Sequence, residues 1–423
     1  MFLRYSVAAL LMVLAGCDGD GDPGSPGSGN PGTNPPIGSE PPAPKIIVQP
    51  MTSVDATSGT GYFQDPYPIH TSRSDGNPEL PTFSGTNKQT LSCVGSVGPK
   101  CFMASPISLD TEMLAQQTAA AGSTIRALEN LNVYQDSTGK WQMAFTAHLT
   151  APGLIGWNII LHAHPTIATA ELPRSWVADT LLVGSLSASA PNNYDGKYFE
   201  DAGTMYLIYN KKVGPYQDGV VAQAMTSPTQ PALSSPVPLL GPETTNGGYS
   251  SEFANGLNQT DAVKLIETGN LTKINGKYIM TYSTGTFNQI GYKAGIAYSD
   301  TFLPRTGSYY RRVNKIDTDG VWGRANHEEV LYLLQSQLPK WANYVADQVL
   351  APGVPAIVRD HDGVYYLTFA GYDPQDAPRN ASGLFDGSHR RPYYIKLNVQ
   401  MPSGGTVAGA SPQELAAWVR PAS

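Results

Sequence analysis

A seven-residue pattern recurs four times along this chain and limits the possible fold more than any other feature. The copies are Gly139-Lys-Trp-Gln-Met-Ala-Phe145, Gly203-Thr-Met-Tyr-Leu-Ile-Tyr209, Gly276-Lys-Tyr-Ile-Met-Thr-Tyr282 and Gly363-Val-Tyr-Tyr-Leu-Thr-Phe369. Each reads Gly, any residue, a large residue, any, Met or Leu, any, Phe or Tyr. A period of two predicts a strand with one face set against a core. Each copy follows a short strand and a polar turn (VYQDSTG, KYFEDAG, LTKING, IVRDHDG). Asp-Gly and Asn-Gly reach positive φ cheaply, so the unit is a hairpin. The repeat glycines lie 64, 73 and 87 residues apart, room for a four-stranded propeller blade and a loop. A weaker copy, Asp65 to Gly76 (DPYPIHTSRSDG), makes five. The expected fold is all-β, a five-bladed β-propeller.

Further strands fit that unit. Trp157 to Ala170, Val220 to Met225 and Tyr292 to Ser299 read as third strands, and Arg391 to Val399 as a closing strand. Asn326 to Asp347 reads as a short helical insertion between the last two blades. Leu331, Leu334 and Leu338 fall at i, i+3 and i+7, and Asn326 can cap a helix. His327-Glu328-Glu329 lacks the second His of a zinc helix, because position 331 is Leu. The 423 residues carry 43 Gly, 35 Pro and 23 Tyr but only 14% charged side chains. That mixture suits strands joined by many turns. A net charge of -7 gives no electrostatic reason to bind nucleic acid or anionic lipid and suits a neutral partner such as a sugar. A monomer is expected.

The chain opens MFLRYSVAALLMVLAGC. Arg4 supplies a positive start, and the apolar run Tyr5 to Leu14 is too short to span a bilayer but has the length of a signal-peptide core. Leu14-Ala15-Gly16-Cys17 looks like a lipobox, with Cys17 the lipidated residue. An ordinary signal peptide with an incidental Cys is the alternative. Residues 1–17 are thus expected to be a lipoprotein signal, 18–45 a flexible Gly/Pro/Ser linker, and 46–423 the propeller. The protein would be exported and lipid-anchored to a bacterial membrane, on its periplasmic or cell-surface side. In such a compartment Cys93 and Cys101 are a plausible disulfide, with free buried thiols the alternative.

First strands of propeller blades line the central channel, so acidic residues at their starts would converge on one mouth. Asp65, Glu129, Asp195 and Glu267 stand 11, 10, 8 and 9 residues before Gly76, Gly139, Gly203 and Gly276. Asp65-Pro66 and Asn-Asn-Tyr-Asp195-Gly are also turn sequences. Glu267 follows an apolar run (Ala262, Val263, Leu265, Ile266), where a carboxylate without a role is costly.

In order and number these motifs resemble glycoside hydrolase family 43, over roughly residues 60 to 400. The resemblance rests on Asp65-Pro66, on Tyr194-Asp195 with FEDAGTMYLIY, on Ile266-Glu267-Thr268-Gly269 with LTKINGKYIMTYS, and on Pro352-Gly353 with AIVRDHDGVYYLTF. It implies an inverting glycosidase of arabinose- or xylose-containing glycans. Asp65 would be the general base, Glu267 the general acid, and Asp195 the carboxylate that orients the acid and raises its pKa. Its partner would be an oligo- or polysaccharide.

Three departures mark a divergent branch. Thr268-Gly269 replaces Gly-Pro, and Ala127-Leu128-Glu129-Asn130 replaces a Trp-Ala-Pro-like motif. Gly353-Val354-Pro355 lacks the His that contacts a metal ion in many members, so no metal or other cofactor is expected. Glu129 would line the channel or contact substrate. Trp157, Trp322 and Tyr372 are candidate sugar platforms, with core packing as the alternative, and His70 and Arg324 are candidate hydroxyl contacts. His162 and His164 are assigned to structure. Two rival functions are a non-catalytic glycan-binding surface lipoprotein and a related propeller glycosidase with another sugar.

Overall fold

The computed structural model describes residues 45–51, 64–69, 82–85, 88, 90–93, 97, 101–104, 107–154, 156–187, 191–214, 217–242, 252, 264–305, 307–313, 330–336 and 343–422. The expected signal peptide with Cys17, the expected linker up to residue 44, and His70, Trp322 and Arg324 lie outside them.

The compact unit runs from Lys45 to Ser423. Its first strand, β1 (Gln49–Pro50), is set aside for the last blade. Blade I is β2 (Tyr67–Pro68), β3 (Thr82–Ser84), β4 (Thr90–Cys93) and β5 (Cys101–Ala104). Cys93 and Cys101 stand opposite each other in β4 and β5 and are joined as a disulfide. After β6 (Ser108–Asp110) and helix α1 (Glu112–Ala120), blade II is built from β7 (Thr124–Gln135), β8 (Trp141–Thr150), β9 (Trp157–Pro165) and β10 (Ser175–Val183), with β6 parallel to β10. Blade III is β11 (Asn193–Asp201), β12 (Thr204–Gly214) and β13 (Gln217–Ser227), and both β14 (Gln230–Pro231) and β15 (Val237–Leu240) pair with β13. Blade IV is β16 (Lys264–Ile274), β17 (Lys277–Thr284), β18 (Lys293–Ser299) and β19 (Arg311–Arg312). Blade V is β20 (Leu350–Arg359), β21 (Tyr365–Tyr372) and β22 (Arg391–Val399), with β23 (Val419–Pro421) after helix α2 (Pro412–Trp418).

The recurring hairpin is the first two strands of blades II to V, and its parity explains the pattern. Fixed positions face the preceding blade, and the positions between them face the following one. Met143 and Phe145 pack with Ile69 and Ile107 between blades I and II. Their neighbour Ala144 packs with Leu207 and Tyr209 between blades II and III. Ile208 then joins Met280 and Tyr282 between III and IV, and Ile279 joins Leu367 and Phe369 between IV and V. Val358 and Tyr394 of blade V pack on Phe83, Leu91 and the Cys93–Cys101 bridge of blade I. Five interfaces between five blades close the ring. Because both faces of such strands are buried, the apolar alternation is softened; all of β17 is buried.

Two expectations are corrected. Arg391–Val399 is the third strand of blade V, and the blade is completed by β1, with Gln49 opposite Tyr394. The first described strand therefore latches the last blade. Of the insertion expected as a helix, residues 330–336 are extended: Leu334 bridges Ala294, and Leu331 N donates to Val313 O. Leu331 and Leu334 pack as edge residues against blade IV rather than along one helical stripe, while residues 326–329 and 337–342, with Leu338, lie outside the described residues. Helices α1 and α2 were not foreseen. In α2, Ser411 and Glu414 form a capping box while Leu415 and Trp418 are buried.

Candidate active site

The five inner strands share one irregularity. Asp65, Asn130, Asp195, Thr268 and Val354, one in each blade, have φ of 51, 56, 57, 56 and 54°. In blades II to V a register shift accompanies it, so each is a β-bulge that re-aims its side chains. Positive φ is expensive for a β-branched residue such as Val354 and persists only where the surroundings impose it. The imposing contact is visible. Asp195 N donates to Thr146 Oγ1 (3.0 Å), Thr268 N to Asn210 Oδ1 (3.0 Å) and Val354 N to Ser283 Oγ (2.7 Å). Thr146, Asn210 and Ser283 each directly follow the aromatic residue that ends a repeat. The repeat thus fixes not only the blade but also the bulge of the next one.

Asp65 and Asp195 are the positive-φ residues of blades I and III, whereas Glu129 and Glu267 stand one place before the positive-φ residue in blades II and IV. The Asp65 carboxylate is ion-paired with Arg390 Nη1 at 2.7 Å, and both side chains are largely buried. The Arg390 guanidinium lies 5.5 Å from the centroid of Tyr292. The Tyr292 hydroxyl donates to Glu267 Oε1 at 2.7 Å, and the Tyr194 hydroxyl approaches Oε2 at 3.4 Å. Asp195 accepts from Asn130 Nδ2, whose own Oδ1 accepts from the Tyr67 hydroxyl at 2.6 Å. Asp65, Asp195 and Glu267 therefore share one cluster with Arg390, Asn130 and the tyrosines Tyr67, Tyr194 and Tyr292, and buried Tyr372 lies within the field of Arg390 and Asp65.

The cluster sorts its carboxyl groups. Burial pushes Glu267 up to about 8, the Asp195 charge adds to that, and the Tyr292 hydrogen bond and Arg390 oppose it. Burial raises Asp195 to about 6, against the opposing field of Lys197, with Asp65 and Glu129 adding to the rise. At neutral pH, Glu267 holds a proton that it can give, while Asp195 is mostly charged. Beside them is an open aromatic surface. Phe287 is 41% exposed, packs one edge on Gly387, and stands 5.6 Å from the Arg390 guanidinium.

No protein-family model and no curated protein matches the sequence. Solved structures do match its shape. A thermostable family-43 glycoside hydrolase is 17% identical with a TM-score of 0.53, over 82% of this chain and 93% of that one. An alpha-L-arabinofuranosidase from Lactobacillus brevis is 14% identical with a TM-score of 0.53, over 80% and 91%. An exo-1,5-alpha-L-arabinanase from a bovine ruminal metagenomic library is 14% identical with a TM-score of 0.50, over 81% and 96%. The fold is that of the family-43 glycoside hydrolases.

On this propeller, three of the sequence-derived candidates, Asp65, Asp195 and Glu267, come together. Glu129 borders them and is held by His148, Nε2 to Oε2 at 2.8 Å. That hydrogen bond raises the His148 pKa. Trp157 is corrected: it opens β9, is buried in the interface between blades I and II, and spends its indole N–H on Ser185 O at 2.9 Å. It has no face for a sugar. Tyr372 is likewise buried and stacks on Phe385. His162 and His164 both bind Asp179, at 2.6 and 2.7 Å, as structural groups. Sequence reasoning missed Arg390, Tyr292, Asn130, Lys197 and Phe287. The one available signal was the pair Arg390-Arg391 directly ahead of a strand, in a chain with few charges.

Proposed function

We propose that this protein is a glycoside hydrolase that cleaves arabinose- or xylose-containing glycans with inversion, anchored through Cys17 as an exported lipoprotein. The observation that carries the reading is the division among the buried carboxyls: Glu267 protonated to about pH 8 on two phenols, and Asp65 paired with Arg390. Glu267 gives its proton to the glycosidic oxygen as the C–O bond breaks. Asp65 takes a proton from water, whose oxygen bonds to the anomeric carbon from the opposite face. The products are a hemiacetal of inverted configuration and a free alcohol. Proton exchange with solvent then restores both carboxyls. Asp195 keeps the Glu267 proton in place by like-charge repulsion. The open face of Phe287 offers the apolar surface that a sugar ring can stack on. The likeness in fold to an arabinofuranosidase and an arabinanase supports the substrate class.

The test is hydrolysis of a panel of aryl glycosides, arabinans and arabinoxylans by the wild type and by Glu267→Gln, with the anomer of the first product read by NMR. Release of the inverted sugar by wild type, with loss in the variant, is the expected result. Binding of a glycan without cleavage by either protein would replace the hydrolase with a glycan-binding lipoprotein.

A further inference from the structure

Two places beyond the positive-φ residue, the inner strands carry Tyr67, Asn132, Lys197, Asn270 and Ala356. These residues come from five different blades, and four of them meet. Asn132, Lys197 and Asn270 line one narrow cleft together with Pro68, and Lys197 Nζ stands 5.3 Å from the centroid of the Tyr67 ring. Lys197 is the one charged member of the set. Its Nζ is buried and has no hydrogen-bond partner among the described residues. An ammonium held in that state loses its hydration without direct replacement. The Tyr67 face offsets part of the loss.

The larger compensation is the surrounding negative charge. Burial is the largest influence on Lys197 and lowers its pKa; the Asp195 charge opposes it most strongly, and Asp65 adds to that. Conversely, Lys197 is the strongest influence opposing burial at Asp195. Arg390 is thus paired with Asp65, Lys197 and Asp195 stand two residues apart on one strand with Nζ and Oδ2 both buried and without a hydrogen-bond partner among the described residues, and Glu267 is left to phenols. The cleft is also a poor seat for a metal cation, because it already contains this ammonium and offers the Tyr67 ring and two amides around it.

We propose that Lys197 is a positioning residue whose buried ammonium is the counter-ion of Asp195, keeping that carboxyl charged so that it can hold the proton on Glu267. This rests on the acid and base roles proposed above. The groups facing Asp195 are Asn130 and Thr146 from blade II, Glu129 with its partner His148 from the same blade, Asp65 and Tyr67 from blade I, Tyr194 beside it on its own strand, and Glu267 from blade IV. Of these, only His148 can add positive charge, and Glu129 already binds it. Lys197 has no substitute.

Carboxyl ¹³C titration by NMR of the full chain decides the matter without reference to activity. The resonance absent from Asp195→Asn identifies Asp195. It is expected to titrate at least one pH unit higher in Lys197→Met than in wild type, and to return toward the wild-type value in Lys197→Arg. Should Lys197→Met fail to fold, the reciprocal measurement serves: the Lys197 ¹⁵Nζ titration should fall in Asp195→Asn. An Asp195 titration unchanged in Lys197→Met, or a Lys197 titration unchanged in Asp195→Asn, overturns the pairing. Failure of wild type to cleave any glycan would remove the hydrolase reading but leave these titrations to decide the pairing by themselves.

Discussion

Glu267 Oε1 accepts the Tyr292 hydroxyl at 2.7 Å, and among the described residues no cation comes within hydrogen-bond reach of that carboxyl. Asp65, two blades away, is ion-paired with Arg390. A phenol stabilises a carboxylate far less than a guanidinium does, so nothing beside Glu267 cancels the effect of burial, which pushes its pKa up to about 8. The rate profile should follow. Activity should rise as Asp195 loses its proton near pH 6 and fall as Glu267 loses its own near pH 8, giving a bell whose limbs belong to the coupled group of carboxyls. The kcat/KM profile of wild type on an aryl glycoside measures it. In Glu267→Gln the rate should drop roughly 10²–10⁴-fold, and the alkaline limb should vanish from what remains.

The same displacement appears in stability. The folded-state pKa of Glu267 is raised, so between its ordinary value of 4.5 and about 8 the native protein binds a proton that the unfolded chain has released. Stability therefore falls as pH rises across that window. Replacing Glu267 with Gln removes this contribution. Glu267→Gln should melt close to wild type at pH 4.5 and several degrees above it at pH 9. The gain should be on the order of a few kcal/mol at most, since water reaching the site in the charged form relieves part of the strain. Melting curves at the two pH values are the check.

How far this site could be read from the sequence depends on which residues carry their own signature. The blades were legible because the repeat fixes a turn glycine and a buried face in each hairpin. Asp65, Asp195 and Glu267 were legible as acids ahead of those hairpins. Their common register was not, because counting back to the turn glycine gives a different number in each blade, whereas the positive-φ positions align Asp65 with Asp195 and Glu129 with Glu267. Asn-Asn-Tyr-Asp195-Gly has the composition of a turn, yet β11 runs straight through it with Asp195 as its bulge. That reading hid Lys197. Arg390 and Tyr292 are 123 and 25 residues from Glu267 in sequence, and they reach the site only when blade IV folds across its own sheet and blade V packs beside it. Trp157 misled because a strand-opening Trp can face either a cleft or the neighbouring blade, and composition does not say which.

Gly353 gives the Tyr292–Glu267 contact its room. A Cβ at position 353 would run into the Tyr292 ring. Gly353→Ala should therefore push the phenol off the Glu267 carboxyl, and both stability and turnover should suffer. Overpacking of this kind costs roughly 1–3 kcal/mol. The decisive reading is whether Tyr292→Phe reproduces the kinetic change without the loss of stability. If Gly353→Ala were as active as wild type, the ring would have another place to go.

The Asp65–Arg390 pair permits a direct test of coupling. Arg390→Met leaves a buried carboxylate without its counter-ion, and breaking such a pair costs about 3–5 kcal/mol. Asp65→Asn with Arg390→Met removes both charges. The double variant should be destabilised by clearly less than the sum of the single effects, with denaturant melts of the four proteins giving the coupling. None of the variants should retain more than traces of hydrolysis, because each alters the proposed base.

Phe287 separates binding from chemistry. It lies beside Arg390 and Gly387, and its remaining face is open. A ring that only stacks on the sugar should contribute similarly to the ground state and the transition state. Its loss then raises KM and leaves kcat nearly intact. Phe287→Ala should raise KM about tenfold, equivalent to about 1.4 kcal/mol of contact, and Phe287→Trp should restore most of it. A fall in kcat at constant KM would instead mean that the ring acts by holding Arg390 against Asp65. The pH profile would distinguish that case, because its limbs would move in Phe287→Ala, whereas loss of a stacking platform leaves them in place.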